Sequence, residues 1–293
     1  MTRRDWLLSL ATAAALPAQD SFTFVHMTDL HLQPEMRAAE GCAMAVEAVA
    51  KRKPAFVITG GDLIMDAAET TWPRAELQYN LLAKTLAPLK MPLHHVLGNH
   101  DVFGTASKSG VAPSAPHYGK KVFEEHIGPR YRAFSHGGWH FLLLDSIGTI
   151  NGRDFRGHID AEQLEWLRGE LARRKPNGRL IVVTHVPLVS SVLQLVADPW
   201  KTAETYLVSN AREVLEILAP HRPRLVLQGH THIRERVVYN DCEFITSGAV
   251  CGNWWKGPRE GHPEGFAVVE VKGEEIRWNY QTYGFRADIL KVG

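Results

Sequence analysis

The chain has 293 residues, of which 45% are hydrophobic, so it carries enough apolar material for one large core and is not a disordered polymer. Lys and Arg number 33 against 32 Asp and Glu, a formal net charge of +1. That balance gives no electrostatic reason to expect a nucleic acid or an anionic membrane as partner, and a nuclease is disfavoured with it. Residues 1–18 read as a cleaved signal peptide of the twin-arginine type. Arg3-Arg4 precede an apolar run over 6–16 that is too short to span a bilayer, and small residues follow as far as Ala18. The expected location is therefore exported, periplasmic or secreted, in a bacterium. Loss of Arg3, Arg4 and Asp5 with the leader would leave 31 basic and 31 acidic residues. Residues 19–293 read as a single domain, with no repeat and no later transmembrane segment.

Short apolar runs rich in β-formers recur along that domain. They are FTFVHMTDLH (22–31), FVITGGD (56–62), LHHVLGNHD (93–101), HFLLLDS (140–146), LIVVTHVP (180–187) and LVLQGHTH (225–232). Helical spacing lies between them over 36–52, 74–87 and 160–174, the last opened by an Asp160–Gln163 capping box. Asn210 is placed to cap a further helix reaching residue 218. FAVVEV (266–271) and EIRWNYQTY (275–283), joined at Lys272-Gly273-Glu274, read as a C-terminal hairpin. Residues 102–120 and 187–205 read as long loops, the usual form of lids and binding loops. Strand–helix alternation followed by a β-rich tail indicates an α/β layered domain with mixed sheets.

The polar residues at the strand ends carry the chemistry. In such folds the carboxyl ends of the strands line one crevice. Here they supply Asp29 and His31, then Asp62, then Asn99, His100 and Asp101, then His185, then His230 and His232. No serine or cysteine sits in a nucleophile elbow, and Cys42, Cys242 and Cys251 form no C-x-x-C pair. Nitrogen and oxygen donors without thiolate suit Zn, Mn, Fe and similar divalent ions. Seven donors exceed the needs of one ion unless some support rather than ligate. In D-x-H and H-x-H the alternate side chains point the same way if the backbone stays extended. Whether the two histidines of GHTH serve one ion or two depends on the turn.

Other residues have bland readings. His26 sits inside a strand and reads as a core histidine, and His94 and His95 as structural. His117, His126, His136, His140, His158, His221 and His262 lack a partnering motif. Cys42 reads as core, and a Cys242–Cys251 disulfide is left open by the sequence. Asp145 is placed to brace the site and Asp66 to cap a turn. Trp254-Trp255 allow two readings, a stacking wall for a leaving group or packing of the terminal hairpin. Lys108, Lys120 and Lys121 are either solvated or meet substrate charge.

Taken in order, TDLH, GGD, GNHD, THVP and GHTH resemble the calcineurin-like metallophosphoesterase superfamily. With the SGAVCGNWW block (247–255), the resemblance lies nearest its bacterial cyclic-nucleotide and glycerophosphodiester phosphodiesterases. It implies a four-layer αββα sandwich of two mixed sheets flanked by helices, and two divalent ions drawn from Mn, Zn, Fe or Co. On the matching positions Asp29, His31, Asp62 and His232 would hold one ion. Asp62 would bridge to a second, completed by Asn99, His185 and His230. His100 would face the phosphoryl group, with Asp101 orienting it. A metal-bound hydroxide would attack phosphorus while His100 stabilises or protonates the leaving group. GGDLIMD lacks the arginine of the GDxxDRG pattern of Ser/Thr phosphatases, which favours phosphodiesters over monoesters. The expected substrate is a small-molecule or lipid-headgroup phosphate ester. A phosphomonoesterase on the same site is the alternative, and a non-catalytic binding scaffold is disfavoured because no ligand position is lost.

Overall fold

Side-chain alternation along the strands builds the architecture. The computed structural model describes residues 21–288 apart from 175, 177 and 197, so the leader expected at 1–18 lies outside the described residues. Strands β1 (Ser21–Met27), β2 (Phe56–Thr59) and β3 (Leu93–His95) are parallel neighbours connected through helices α1 (Ala38–Arg52) and α2 (Trp72–Leu86). Helix α3 (Lys121–His126) leads into the antiparallel pair β4 (Arg132–His136) and β5 (Trp139–Leu143). A small hairpin follows, β6 (Ile147–Ile150) and β7 (Arg153–Gly157), then α4 (Ala161–Ala172), β8 (Leu180–Val183), α5 (Pro199–Tyr206), α6 (Ala211–Leu218) and β9 (Leu225–Gln228). The chain ends in β10 (Arg234–Tyr239), β11 (Cys242–Ser247) and the hairpin β12 (Phe266–Lys272) and β13 (Glu275–Gln281). One sheet runs β13-β12-β1-β2-β3 and the other β10-β11-β9-β8-β5-β4, each mixing parallel and antiparallel pairs.

Phe24, Phe56, Ile58 and Val269 of the first sheet pack between the sheets against Trp139, Phe141, Ile181, Leu225 and Leu227 of the second. Their neighbours Val25, Val57, Leu142, Val182 and Val226 point the other way, into apolar layers completed by Cys42, Ala45 and Val49 of α1 and Leu164, Leu167 and Leu171 of α4. Period-two strands thus bury both faces, each full side-chain burial stabilising by about 1.5–3 kcal/mol. The expected four-layer αββα sandwich is the result. Phe24 stacks on Phe56 at 5.0 Å, and Phe141 meets Phe56 edge-on at 5.2 Å.

Local differences from the sequence pattern have physical causes. The Asp160 side chain caps α4 by accepting from Gln163 N (2.9 Å), but the Gln163 amide does not reciprocate. It bonds both backbone groups of Asp145 instead, tying α4 to the end of β5. Asn210 likewise spends its amide on Ile159 N and O rather than on α6. Residues 187–205 are not all loop, because α5 starts at Pro199, an imino acid suited to a first helical turn. No helix among the described residues is long and apolar enough to cross a membrane.

Candidate metal centre

The strand ends bring six of the predicted donors together, namely Asp29, His31, Asp62, His185, His230 and His232. Asp29, His31, Asp62, His230 and His232 all have left-handed backbone, with φ between 42° and 72°. Non-glycine residues in that region are uncommon, and they gather at functional sites. Backbone bonds between the loops hold them there, from Asp29 N to Gly61 O (3.0 Å) and from His31 N to Asp62 O (2.9 Å). The motif glycines are spacers. A Cβ on Gly98 would lie 2.0 Å from Asp62 N, and one on Gly229 would lie 2.7 Å from Asp29 Oδ2.

Around Asp62 the donors fall into two sets. Asp62 Oδ2 is 3.5 Å from His31 Nε2 and 3.1 Å from His185 Nε2. On the His31 side, His31 Nε2 is 3.0 Å from His232 Nε2, which is in turn 3.3 Å from Asp29 Oδ1. On the other side, the His185 and His230 rings are 5.2 Å apart, and the donor atoms of Asp62, His185 and His230 all lie within 4.8 Å of one another. The two histidines of GHTH therefore part company, one to each set. Left-handed turns at His230 and His232 achieve this, whereas the left-handed Asp29 and His31 stay in one set.

Second partners fix three of the imidazoles, whereas the buried His31 Nδ1 has none. His185 Nδ1 donates to Gly60 O (2.8 Å) and His232 Nδ1 to Gly252 O (2.6 Å), which leaves both Nε2 atoms as acceptors. His230 is reversed, since its Nε2 donates to Thr205 O (2.6 Å) and its Nδ1 is the free nitrogen. His185 Nε2, His230 Nδ1 and Asn99 Oδ1 are buried with no hydrogen-bond partner. Converging lone pairs without donors are what a cation requires. The proton inventory agrees. Burial alone would discharge Asp62 and His185, yet their mutual attraction outweighs it, holding the Asp62 carboxyl well below its usual range and lifting His185 to about 9. Burial also acts on Asp29, but His232 and His185 bring it down to about 2, while burial lowers His230 to about 4. Asp29 and Asp62 are thus held ionised and His230 neutral, the protonation states in which they can ligate a cation. The donors of the pocket fit divalent ions.

His100 lies at the rim, half-buried, its ring 4.8 Å from that of His31. Its backbone N–H donates to Asp62 Oδ1 (2.9 Å), linking the GNHD turn to the shared carboxylate. Asp101 does not meet its imidazole. The Asp101 carboxylate is fully buried and accepts from Leu63 N (2.8 Å), Ile64 N (3.2 Å) and Gly98 N (2.9 Å), so it braces the two loops that carry Asp62 and Asn99. The carboxylate facing His100 is Asp66, with Oδ1 3.7 Å from Nδ1. Asp66 also caps its own turn through Ala68 N and Glu69 N, the role its sequence position suggested. Its spacing of four from Asp62 was the available signal for the second role.

The remaining candidates sort themselves. Trp255 is buried and donates to Leu30 O and His31 O, so it packs under the site. Trp254 stays half-buried with its ring 4.7 Å from His232 and 5.9 Å from His31, so it belongs to the mouth. Lys120 pairs with buried Asp145 (2.6 Å) and Lys108 with Glu69 (2.8 Å). His26 is fully buried on Ser247 Oγ (2.7 Å). Cys42, Cys242 and Cys251 are free buried thiols, and Cys251 Sγ lies 3.8 Å from His232 Nδ1.

With that geometry in place, comparison with known proteins becomes decisive. The family model described as Calcineurin-like phosphoesterase matches residues 22–234, and that for the C terminal of Calcineurin-like phosphoesterase matches 243–289. The chain belongs to the calcineurin-like phosphoesterase family. It is thus a metallophosphoesterase of a family that uses divalent metals. Among its relatives, the serine/threonine-protein phosphatase CPPED1 of Mus musculus is 27% identical over 85% of this chain and 74% of its own length. A 3',5'-cyclic-nucleotide phosphodiesterase of Nostoc sp. is 24% identical over 78% of each chain. The crystal structure of a dimetal phosphatase from Danio rerio superposes with a TM-score of 0.64 at 18% identity, covering 89% of this chain and 96% of that one, a likeness of fold.

Proposed function

We propose that this phosphoesterase works at a pair of divalent ions and prefers phosphodiesters. The observation that carries the proposal is the placing of Asp62 Oδ2 between His31 Nε2 (3.5 Å) and His185 Nε2 (3.1 Å), with a separate donor set on each side. Asp29, His31, Asp62 and His232 would hold one ion, and Asp62, Asn99, His185 and His230 the other. Bound there, the ions would polarise a phosphoryl oxygen and bring the pKa of bound water toward about 7. The chain's own groups do the rest. His100 reaches over the rim to give its proton to the leaving oxygen, with Asp66 Oδ1 3.7 Å from its Nδ1. Asp101 holds the GNHD turn so that Asn99 and His100 keep their separation from Asp62.

Two features favour a diester. The residue after Asp66 is Ala67, so this loop offers no guanidinium to the extra charge of a monoester. The cavity beside His100, about 400 Å³, is bordered by Asp66 and Asp154 and by a Glu69 already paired with Lys108, so the two remaining carboxylates disfavour a dianion there. The phosphatase name of the mouse relative supports the second reading, a phosphomonoesterase on the same site. The leader over residues 1–18 supports export and hence a periplasmic or external small-molecule or lipid-headgroup ester.

The test is metal analysis with paired kinetics after EDTA treatment and reloading with Mn, Zn, Fe or Co. Two ions per chain and a higher kcat/KM on bis(p-nitrophenyl) phosphate than on p-nitrophenyl phosphate are expected. Faster monoester turnover would select the second reading. Full metal loading without turnover of any ester would leave a binding scaffold.

A further inference from the structure

The opening of the site is electrically lopsided. Asp66, Glu69 and Asp154 stand on the His100 side. Arg259 places its guanidinium 5.3 Å from the Trp254 ring, and Trp254 lies against His232 and His31. Centroid distances of 5.3 and 4.7 Å put that cation within about 10 Å of the His232 ring. Its one side-chain hydrogen bond is a long one, from a terminal nitrogen to Asn253 Oδ1 (3.4 Å). Among the described residues no carboxylate lies within ion-pair distance of it.

The turn that carries Arg259 is fixed in place. Arg259 N donates to His262 O (2.9 Å) and His262 N to Arg259 O (2.7 Å), while Asn253 N donates to Gly257 O (2.8 Å). Arg259 is half-buried, so part of the ordering cost of its side chain has already been met by the fold. The indole beneath it is engaged by a guanidinium and two imidazoles. Trp254 therefore acts as a spacer that aims the cation and not as an open stacking face.

We propose that Arg259 is a specificity-determining residue that takes a second anionic group, carboxylate or phosphate, on the arm of the substrate remote from the leaving group. The substrate class is then a phosphodiester whose spectator arm bears a negative charge about one short linker from phosphorus. This rests on the phosphodiester reading above. A planar guanidinium matches either oxyanion through two parallel hydrogen bonds, which a lysine does not reproduce.

The experiment is isothermal titration of Mn-loaded protein with propylphosphonate and 3-phosphonopropionate, which differ only in the terminal carboxylate. The wild type is expected to bind the carboxylate-bearing probe about ten-fold tighter, the scale of one charge-assisted contact. Arg259→Gln should abolish that preference and Arg259→Lys should keep part of it, with propylphosphonate affinity held within about two-fold throughout. Propane-1,3-bisphosphonate in a third arm tells a phosphate-bearing from a carboxylate-bearing ester, and a preference for either supports the assignment. A wild type that ignores the second anion overturns it. So does an Arg259→Gln protein that loses affinity for all the probes alike, since Arg259 would then serve the reacting phosphoryl. Binding preference without turnover of any ester would sink the hydrolase reading and leave Arg259 standing, whereas diester turnover without the preference would do the reverse.

Discussion

Gly98→Ala tests whether Asp62 sits where a shared ligand must. Gly98 has extended backbone, φ −107° and ψ 170°, which alanine adopts freely, so the substitution acts through space alone. The new Cβ would stand 2.0 Å from Asp62 N and 2.2 Å from Asp62 Oδ1. Relief to an ordinary contact near 3.5 Å needs a displacement on the order of 1 Å, and the clashing atom is backbone, which cannot rotate away. Overpacking of that kind costs about 1–3 kcal/mol of stability, or roughly 2–8 °C in Tm for a chain of this size. Misplacing a site group by about 1 Å costs on the order of 100-fold in rate. Metal stoichiometry, kcat on a nitrophenyl diester and thermal unfolding should be measured together. Gly110→Ala is the control, because Gly110 has φ +72° with nothing within 4 Å of the added atom. It should lose about 1 kcal/mol to backbone strain and nothing in metal or rate. If Gly98→Ala keeps wild-type metal content and turnover within two-fold, Asp62 is not a shared ligand.

Asn99→Ala should lower metal content toward one ion per chain and reduce turnover severely, because Asn99 Oδ1 is buried without a partner; unchanged metal and rate would remove it from the ligand set. His100→Ala should keep both ions and slow hydrolysis more for poor leaving groups than for nitrophenol, and loss of both ions would move His100 among the ligands. All three cysteines should react with a thiol reagent only after unfolding, each being buried and free, so a protected disulfide in the native protein would refute the packing described. The stability contribution of His26 should fall with acid. Burial lowers His26 from 6.5 to about 4, so its neutral form contributes stability that is complete above pH 6.5 and is lost as pH falls toward 4. That contribution is about 3 kcal/mol, and His26→Gln should flatten the denaturant midpoint across this window.

The sandwich was legible because its strands obey a period of two and bury both faces. FTFV and LIVV announce the sheet on sight, and Phe24 and Val25 divide between inner and outer layers as the alternation requires. Elements set by tertiary contacts were not legible. The β6–β7 hairpin, RDFRG against IGTI, has little apolar pattern of its own. Gln163 resembles a capping-box residue until Asp145, far away in sequence, takes its amide. Asp101 reads as a partner for its neighbour His100, but a residue next in sequence on a tight turn need not face the same way. Its carboxylate is captured by Leu63 N and Ile64 N of the facing loop and by Gly98 N of its own turn, and Asp66, coming from the facing loop, reaches the imidazole instead.

The donor set itself was legible by residue type, while the division of the GHTH histidines was left to the turn. Extended D-x-H and H-x-H segments would have pointed each pair at a single ion. The left-handed conformations found instead keep Asp29 and His31 in one set and send His230 and His232 to different ones, and they cost about 1–2 kcal/mol apiece for residues with a Cβ. Such strain persists only where other bonds over-determine it. Here those bonds are the backbone links from the TDLH loop to the GGD loop and the paired acceptances of His230 N by both Asp29 oxygens (3.0 and 3.1 Å). The turns that present the donors are thus tied down by the protein's own hydrogen bonds.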